Sequence, residues 1–237
     1  MPIQKKRTFD VLTIFPEVIT PYVKVSILGR AQKKNLIQIQ AHDLRDWAED
    51  KHKRVDDTPY GGGVGMLMKV EPIDKAVTKI TGKKKTRVIL TAASGKLFTQ
   101  KDARRLAKYD QLIFICGRYE GVDHRVEEYI ADESLSIGPF VLTGGELPAL
   151  VMIDAISRMV PGVLGSKESL KSESHDQEGV LEYPQYTKPE IFQSKGKKKT
   201  WNVPSVLLSG DHQKIEKWKK EQKRGVKKID QHSWSID

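Results

Sequence analysis

Leu112-Ile113-Phe114-Ile115-Cys116, followed at once by Gly117-Arg118-Tyr119-Glu120-Gly121, is an unbroken apolar run that ends in a glycine-bounded polar turn. A strand with one wet face alternates apolar and polar residues. An uninterrupted apolar strand belongs in a parallel sheet covered on both faces. The glycines stop the strand and leave a turn at its C-terminal end, which is where open α/β sheets bind ligands.

The pattern outward from this stretch agrees. Upstream, residues 87–90 read as a strand, and Thr99 caps a helix reaching Lys108. Downstream, residues 122–130 read as helical, 133–137 as a short strand, and 146–159 as a helix ended by Pro161-Gly162. Nearer the N-terminus, residues 9–14 read as a buried strand stopped by Phe15-Pro16. Residues 17–27 read as a helix ending at Gly29, and 36–41 as a second strand. Residues 43–57 are charged and aperiodic, so they read as irregular. Pro59-Tyr60-Gly61-Gly62-Gly63-Val64-Gly65 holds four glycines in five positions and excludes regular structure. Residues 72–80 are helical, and 83–85 mark a basic turn. Strand–helix alternation therefore predicts an α/β domain with a parallel sheet over residues 1–164.

Residues 165–179 are polar, rich in Ser and Glu, and read as a mobile linker. Residues 180–237 read as a small, mainly helical C-terminal domain. Asp211 caps a helix to about Arg224, with Ile215 and Trp218 on one face and lysines on the other.

Composition narrows the function. The 237 residues carry a formal net charge of +10, with 38% hydrophobic and 30% charged content. Residues 188–237 hold thirteen Lys and Arg against six Asp and Glu, so most of the excess lies there. Such a balance favours a polyanionic partner, nucleic acid first. The single cysteine, Cys116, excludes an internal disulfide framework and fits a cytoplasmic protein. No apolar segment is long enough to span a membrane, and the N-terminal basic residues lack a signal-peptide pattern after them.

Three glycine-bearing segments fall after predicted strands: 91–95, 117–121 and 137–145. Each bare backbone can approach a flat ligand and offer N–H and C=O groups to it. A glycine in any one of them is ordinarily a turn, but three after successive strands point to a site. None matches a dinucleotide fingerprint or a Walker loop, so a phosphate-rich cofactor is disfavoured. Glu120 lies among the glycines, where it either faces a cationic group or pairs with Arg118 or Arg125.

At these residues the chain resembles the bacterial tRNA (guanine-N1)-methyltransferase family, TrmD, of the SPOUT class. The blocks that carry the resemblance run in family order over nearly the whole chain. They are residues 56–63 and 65–68, 116–123 with Arg125, 136–138, 141–142, 144–149, 157–158 with 161–165, 181–189 and 206–210. The resemblance implies a deep trefoil knot in the N-terminal domain that holds S-adenosylmethionine. It implies an obligate homodimer with active sites at the subunit interface, and a C-terminal domain that grips tRNA. It implies methylation of N1 of the guanosine 3′-adjacent to the anticodon, position 37. The cofactor residues it implies are Leu90, Thr91, Ala92 and Ala93; Gly117, Tyr119, Glu120 and Gly121; and Ser136, Ile137, Gly138, Val141, Leu142, Gly144 and Gly145. The first loop departs from the family, with Ala92-Ala93-Ser94-Gly95 in place of Ser-Pro-Gln-Gly.

Guanine N1 carries a hydrogen in its normal tautomer. Methylation there needs a base for that proton and a cation for the charge growing on O6. By similarity the cation is Arg158. The family's base is an Asp of an Asp-Ser-Phe stretch in the linker, and this chain has Ser172-Glu173-Ser174-His175-Asp176 instead. One inserted residue aligns Glu173 with that Asp, and Asp176 is the next choice; His175 has a suitable unperturbed pKa. Tyr60, Gly61 and Gly62 lie in a loop that the family keeps near the site and tRNA. Lys197 and Lys198, in a local basic insertion, are candidates for phosphate contact. The family's reaction depends on Mg2+, but no carboxylate cluster in the sequence marks a metal site. The alternative readings are a SPOUT enzyme acting on another RNA and a non-catalytic RNA-binding protein.

Overall fold

The computed structural model describes residues 5–82, 85–165 and 180–225. In chain order the elements are β1 (Arg7–Thr13), α1 (Pro16–Val23), α2 (Ser26–Lys33), β2 (Ile37–Asp43), β3 (Asp56–Asp57), β4 (Leu67–Met68), α3 (Val70–Ile80), β5 (Thr86–Leu97) and α4 (Gln100–Leu106). They continue as β6 (Gln111–Cys116), β7 (Glu133–Ser136), α5 (Glu146–Arg158), β8 (Val180–Leu181), β9 (Ile191–Phe192), β10 (Trp201–Asn202), α6 (Ser205–Leu208), α7 (His212–Gln222) and β11 (Arg224–Gly225). The chain divides into two compact units, Met1–Lys167 and Glu168–Asp237.

The first unit is an α/β fold around one five-stranded sheet, ordered β2-β1-β6-β5-β7 and parallel throughout. β6 lies at its centre, and every residue of it is buried. Because side chains alternate across a strand, it feeds two cores. Leu112, Phe114 and Cys116 join the cluster formed with α1, α2, α4 and α5, while Ile113 and Ile115 join the cluster formed with α3. The unbroken apolar run is thus two interleaved faces, both covered. Thr99 caps α4 as expected, and Asp102 answers it to complete a capping box.

Several boundaries differ from the sequence reading, each for a tertiary reason. The helix expected over residues 17–27 is two helices, and Gly29 lies inside the second. A Cβ at Gly29 would stand 2.2 Å from the Lys24 carbonyl oxygen, so glycine there lets α2 fold tightly back on the end of α1. The helix expected over 122–130 begins only at residue 124 and takes the form of a π turn over residues 126–130. Val122 is bridged to Met68 of β4 instead, and Asp123 N–H donates to the Met68 carbonyl at 2.9 Å. Residues 91–95 are not a free loop. They form a bulge within β5, with Thr91 and Lys96 both opposite Leu135. The 59–65 segment connects the antiparallel pair β3 and β4.

The second unit carries short strands besides its helices. Alongside α6 and α7 it has two antiparallel pairs, β9–β10 and β8–β11. Asp211 caps α7, accepting from the N–H groups of Gln213 and Lys214. Tyr183 and Tyr186 pack their rings against Trp218 of that helix.

Candidate active site

β6, β5 and β7 are sheet neighbours and run the same way, so the bulge within β5 and the segments that follow β6 and β7 meet on one edge. Between them lies a pocket of about 410 Å³, within the range of small-molecule sites. Its first wall is Leu90, Thr91, Ala92, Ala93 and Ser94; its second is Gly117 through Val122. The third is Leu135 through Gly138, then Phe140 through Gly145 with Pro148. All fifteen expected cofactor residues line this one space. Leu135, Phe140, Pro148 and Glu127 line it too and were not anticipated. Glu127 comes in because the π turn at residues 126–130 follows the second wall directly.

Two glycines do different work from that expected of them. Gly95 is outside the pocket lining. A Cβ there would meet the Leu135 backbone nitrogen at 2.6 Å, so its bareness serves the close approach of β5 and β7. Gly145 seals the second wall to the third. A Cβ on it would lie 1.9 Å from Thr91 Oγ1 and 2.8 Å from Cys116 Cα. We expect Gly145→Ala to cost about 1–3 kcal/mol of stability, the usual range for overpacking, and to weaken ligand binding as the walls part. Chemical denaturation and calorimetric titration check this, and an unchanged midpoint and affinity would refute it.

Arg118 ties the second and third walls together. Its Nε donates to Glu146 Oε2 at 2.9 Å and Oε1 at 3.1 Å, and its Nη1 donates to the Thr143 carbonyl at 3.2 Å. The Glu146 carboxylate is 1% exposed and also accepts from the Thr13 hydroxyl at 2.6 Å. The guanidinium lies 4.6 Å from the Phe15 ring centroid, a favourable cation–π position. Gly144 makes room for it, since a Cβ there would stand 2.2 Å from Arg118 Nε.

Glu120 therefore pairs with neither arginine considered for it. Arg118 takes Glu146, and Arg125 takes Asp123 at 2.7 Å. Glu120 lies instead against Gly65, where a Cβ would be 2.5 Å from its Cγ. That contact and the bond from Glu120 N–H to the Met66 carbonyl stitch the 59–65 loop to the second wall. Tyr60 is fully exposed in that loop, with Gly61 at φ 85° and Gly62 at φ 81°. Tyr119 holds a left-handed φ of 59°, a strained state for a non-glycine residue. Burial, then the Asp56 carboxylate, pushes its phenol pKa up. Burial does the same, more strongly, to the Cys116 thiol, which stays protonated.

The charged lining suits a cation better than a phosphate. Its members are Arg118, already engaged, and the carboxylates Glu120 and Glu127; among the described residues no lysine lines it. The glycine-rich walls leave backbone groups beside apolar Leu90, Leu135 and Ile137, a combination that fits a purine nucleoside carrying a positive centre.

Arg158 does not reach this pocket within one chain. It is half-buried in the last turn of α5, and the pocket touches only the first turn. The helix between Pro148 and Arg158 spans roughly 15 Å at its ordinary rise. Lys197 and Lys198 are exposed on the second unit. Glu173 and Asp176 lie outside the described residues. Among the described residues no group of three or more His, Cys, Asp and Glu could hold a metal ion, and no helix is long and apolar enough to cross a membrane.

A family model described as tRNA (Guanine-1)-methyltransferase TrmD matches residues 7–232. A tRNA (guanine-N(1)-)-methyltransferase of Dictyoglomus turgidum is 54% identical over 213 residues, covering 90% of this chain and 83% of that one. Its counterpart in Dehalococcoides mccartyi is 50% identical over 215 residues, covering 90% and 84%. That of Thermomicrobium roseum is 53% identical over 214 residues, covering 90% and 77%.

Proposed function

Since this chain belongs to the tRNA (guanine-1)-methyltransferase family TrmD, we propose that its glycine-walled pocket holds S-adenosylmethionine and that guanine is methylated beside it. The chain is a methyltransferase that acts on tRNA, at N1 of the guanosine at position 37. The observation that carries the assignment of the pocket is that the family's blocks at residues 116–123, 136–138, 141–142 and 144–149 wall one space.

When bound, S-adenosylmethionine supplies an electrophilic methyl on a positively charged sulfur. Leu90, Ala92, Ile137 and the backbone of Gly117, Gly138 and Gly144 suit the adenosine part, and Glu120 suits the positive centre. Among the described residues the Glu120 carboxylate makes no ion pair. The linker carboxylate, Glu173 first and Asp176 second, takes the proton from N1. Arg158 offsets the charge that this leaves on O6.

A homodimer accounts for two further observations. The first is that Arg158 lies a helix length from the pocket of its own chain. The second is an exposed apolar stripe. Val18 and Tyr22 of α1 lie beside Leu147 and Val151 of α5, and Tyr22 donates to Asp154 at 2.7 Å. A second cavity, of about 310 Å³, runs from Val18 and Leu147 to Val141 and Leu142 of the pocket's third wall. A second copy on this stripe would cover the apolar surface and bring its own groups to the pocket. We also assign the trefoil knot and a cytoplasmic location to the chain by family membership, and place the 59–65 loop against tRNA.

The test is transfer of labelled methyl from S-adenosylmethionine to tRNA transcripts with guanosine or another base at position 37. Labelling is expected only on the former. Equal labelling would point to a different RNA target, and cofactor binding without transfer to any tRNA would point to a non-catalytic binder.

A further inference from the structure

The basic run at residues 195–199 is the connection of a hairpin. β9 and β10 pair antiparallel, with Trp201 opposite Phe192 and Asn202 opposite Ile191. The turn is ordered by Lys197 N–H donating to the Ser194 carbonyl at 3.1 Å, and by Gly196 at φ 77°. Gln193 Nε2 donates to the Lys197 carbonyl at 3.3 Å. The element is thus a defined hairpin, so its side chains stand in fixed relation to one another.

What it presents is unusual for a surface. The Phe192 and Trp201 rings lie 5.5 Å apart, tilted by 43°. Even so, Phe192 is 47% exposed, Trp201 55% and Ile191 63%. The tyrosines of the same unit gather around Trp218, and among the described residues none of their rings pairs with Phe192 or Trp201. Lys195, Lys197, Lys198 and Lys199 are exposed at the turn, and among the described residues none makes an ion pair. Two aromatic faces beside four unneutralised cations match a polyanion that also offers flat apolar surfaces. Single-stranded or looped RNA has both: phosphates for lysines and unstacked bases for aromatic rings. An apolar protein partner would explain the rings but would gain nothing from the lysines.

We propose that the hairpin of residues 191–202 is an RNA-contacting element. Lys197, Lys198 and Lys199 engage phosphates, and Trp201, backed by Phe192, stacks on an unpaired base of the substrate tRNA. The proposal rests on tRNA being the substrate.

The full-length protein and a tRNA transcript test it by equilibrium binding across salt concentrations. The triple variant Lys197→Ser/Lys198→Ser/Lys199→Ser should flatten the slope of log K against log[salt] by about 2, as expected for losing three phosphate contacts. Trp201→Ala should weaken tRNA binding roughly 5- to 100-fold, and Trp201→Phe should recover most of it. The KM for tRNA should rise in both loss variants while the dissociation constant for S-adenosylmethionine holds. The lysines are exposed turn residues, so the triple variant stays informative even if Trp201→Ala unfolds the hairpin. An unchanged salt slope and affinity in the triple variant overturn the proposal. So does a change in oligomeric state in place of a change in tRNA affinity, which would make the surface a protein interface. Failure of the wild type to methylate tRNA would instead strike the proposed function, because hairpin binding is read without turnover.

Discussion

Methyl transfer to tRNA is expected to fall roughly 10²- to 10⁴-fold in Glu173→Ala, with S-adenosylmethionine binding intact. Guanine N1 has no free lone pair while its proton remains, so removal of the base attacks the chemical step rather than the cofactor site. Asp176→Ala is expected to lose far less, and the contrast between the two is the diagnostic. Single-turnover rates on one transcript, with cofactor affinity measured separately, supply the comparison. If Asp176→Ala is the slow variant, the roles of the two carboxylates exchange. If neither variant slows transfer, no carboxylate at either position is the base. In that case His175, whose side-chain type suits a base, becomes the group to replace.

Arg118→Met is expected to cost about 3–5 kcal/mol of stability, the usual consequence of leaving one partner of a buried ion pair uncompensated. Glu146 is 1% exposed, and without Arg118 it keeps, among the described residues, only the Thr13 hydroxyl. The same change unties Thr143 from the second wall and removes the cation from the Phe15 ring. Cofactor affinity should therefore fall along with stability. Arg118→Lys should recover only part of both, because a point charge cannot reproduce the planar fork and the ring contact together. The double variant Arg118→Met/Glu146→Leu separates the two effects. Removing the stranded carboxylate should return most of the stability, while the walls stay untied and cofactor binding stays weak. Full recovery of affinity in the double variant would show that the pair supports the fold alone.

The sheet and the pocket were legible in the sequence because their signals are local. The apolar run at residues 112–116 reports burial on both faces of one strand. Glycine-bearing segments follow β6 and β7 and interrupt β5 as a bulge. Parallel neighbours must end on the same edge, and that geometry gathers fifteen expected residues around one space. Misreadings came where a distant contact overrides a local pattern. The segment after Gly121 has a helical pattern, yet β4 bridges its first residue, Val122, and the helix begins only at residue 124. Gly29 looks like a helix stop, yet it is the point where α2 packs on the end of α1.

Taken by itself, the sequence determined the fold class and the family, and the family's motifs implied which residues wall the pocket. Each depends on residue types at fixed spacing, and spacing along a chain dictates which backbone conformations and which buried faces are possible. Only the tertiary structure decided how charges are spent. Arg118 chose Glu146, twenty-eight positions away, over its neighbour Glu120. Gly95 proved to serve the seam between β5 and β7, and Arg158 proved to stand at the far end of α5 from the pocket. The physical reason is one of range. An ion pair or a close backbone approach depends on strand order, and strand order is set by how the whole chain packs.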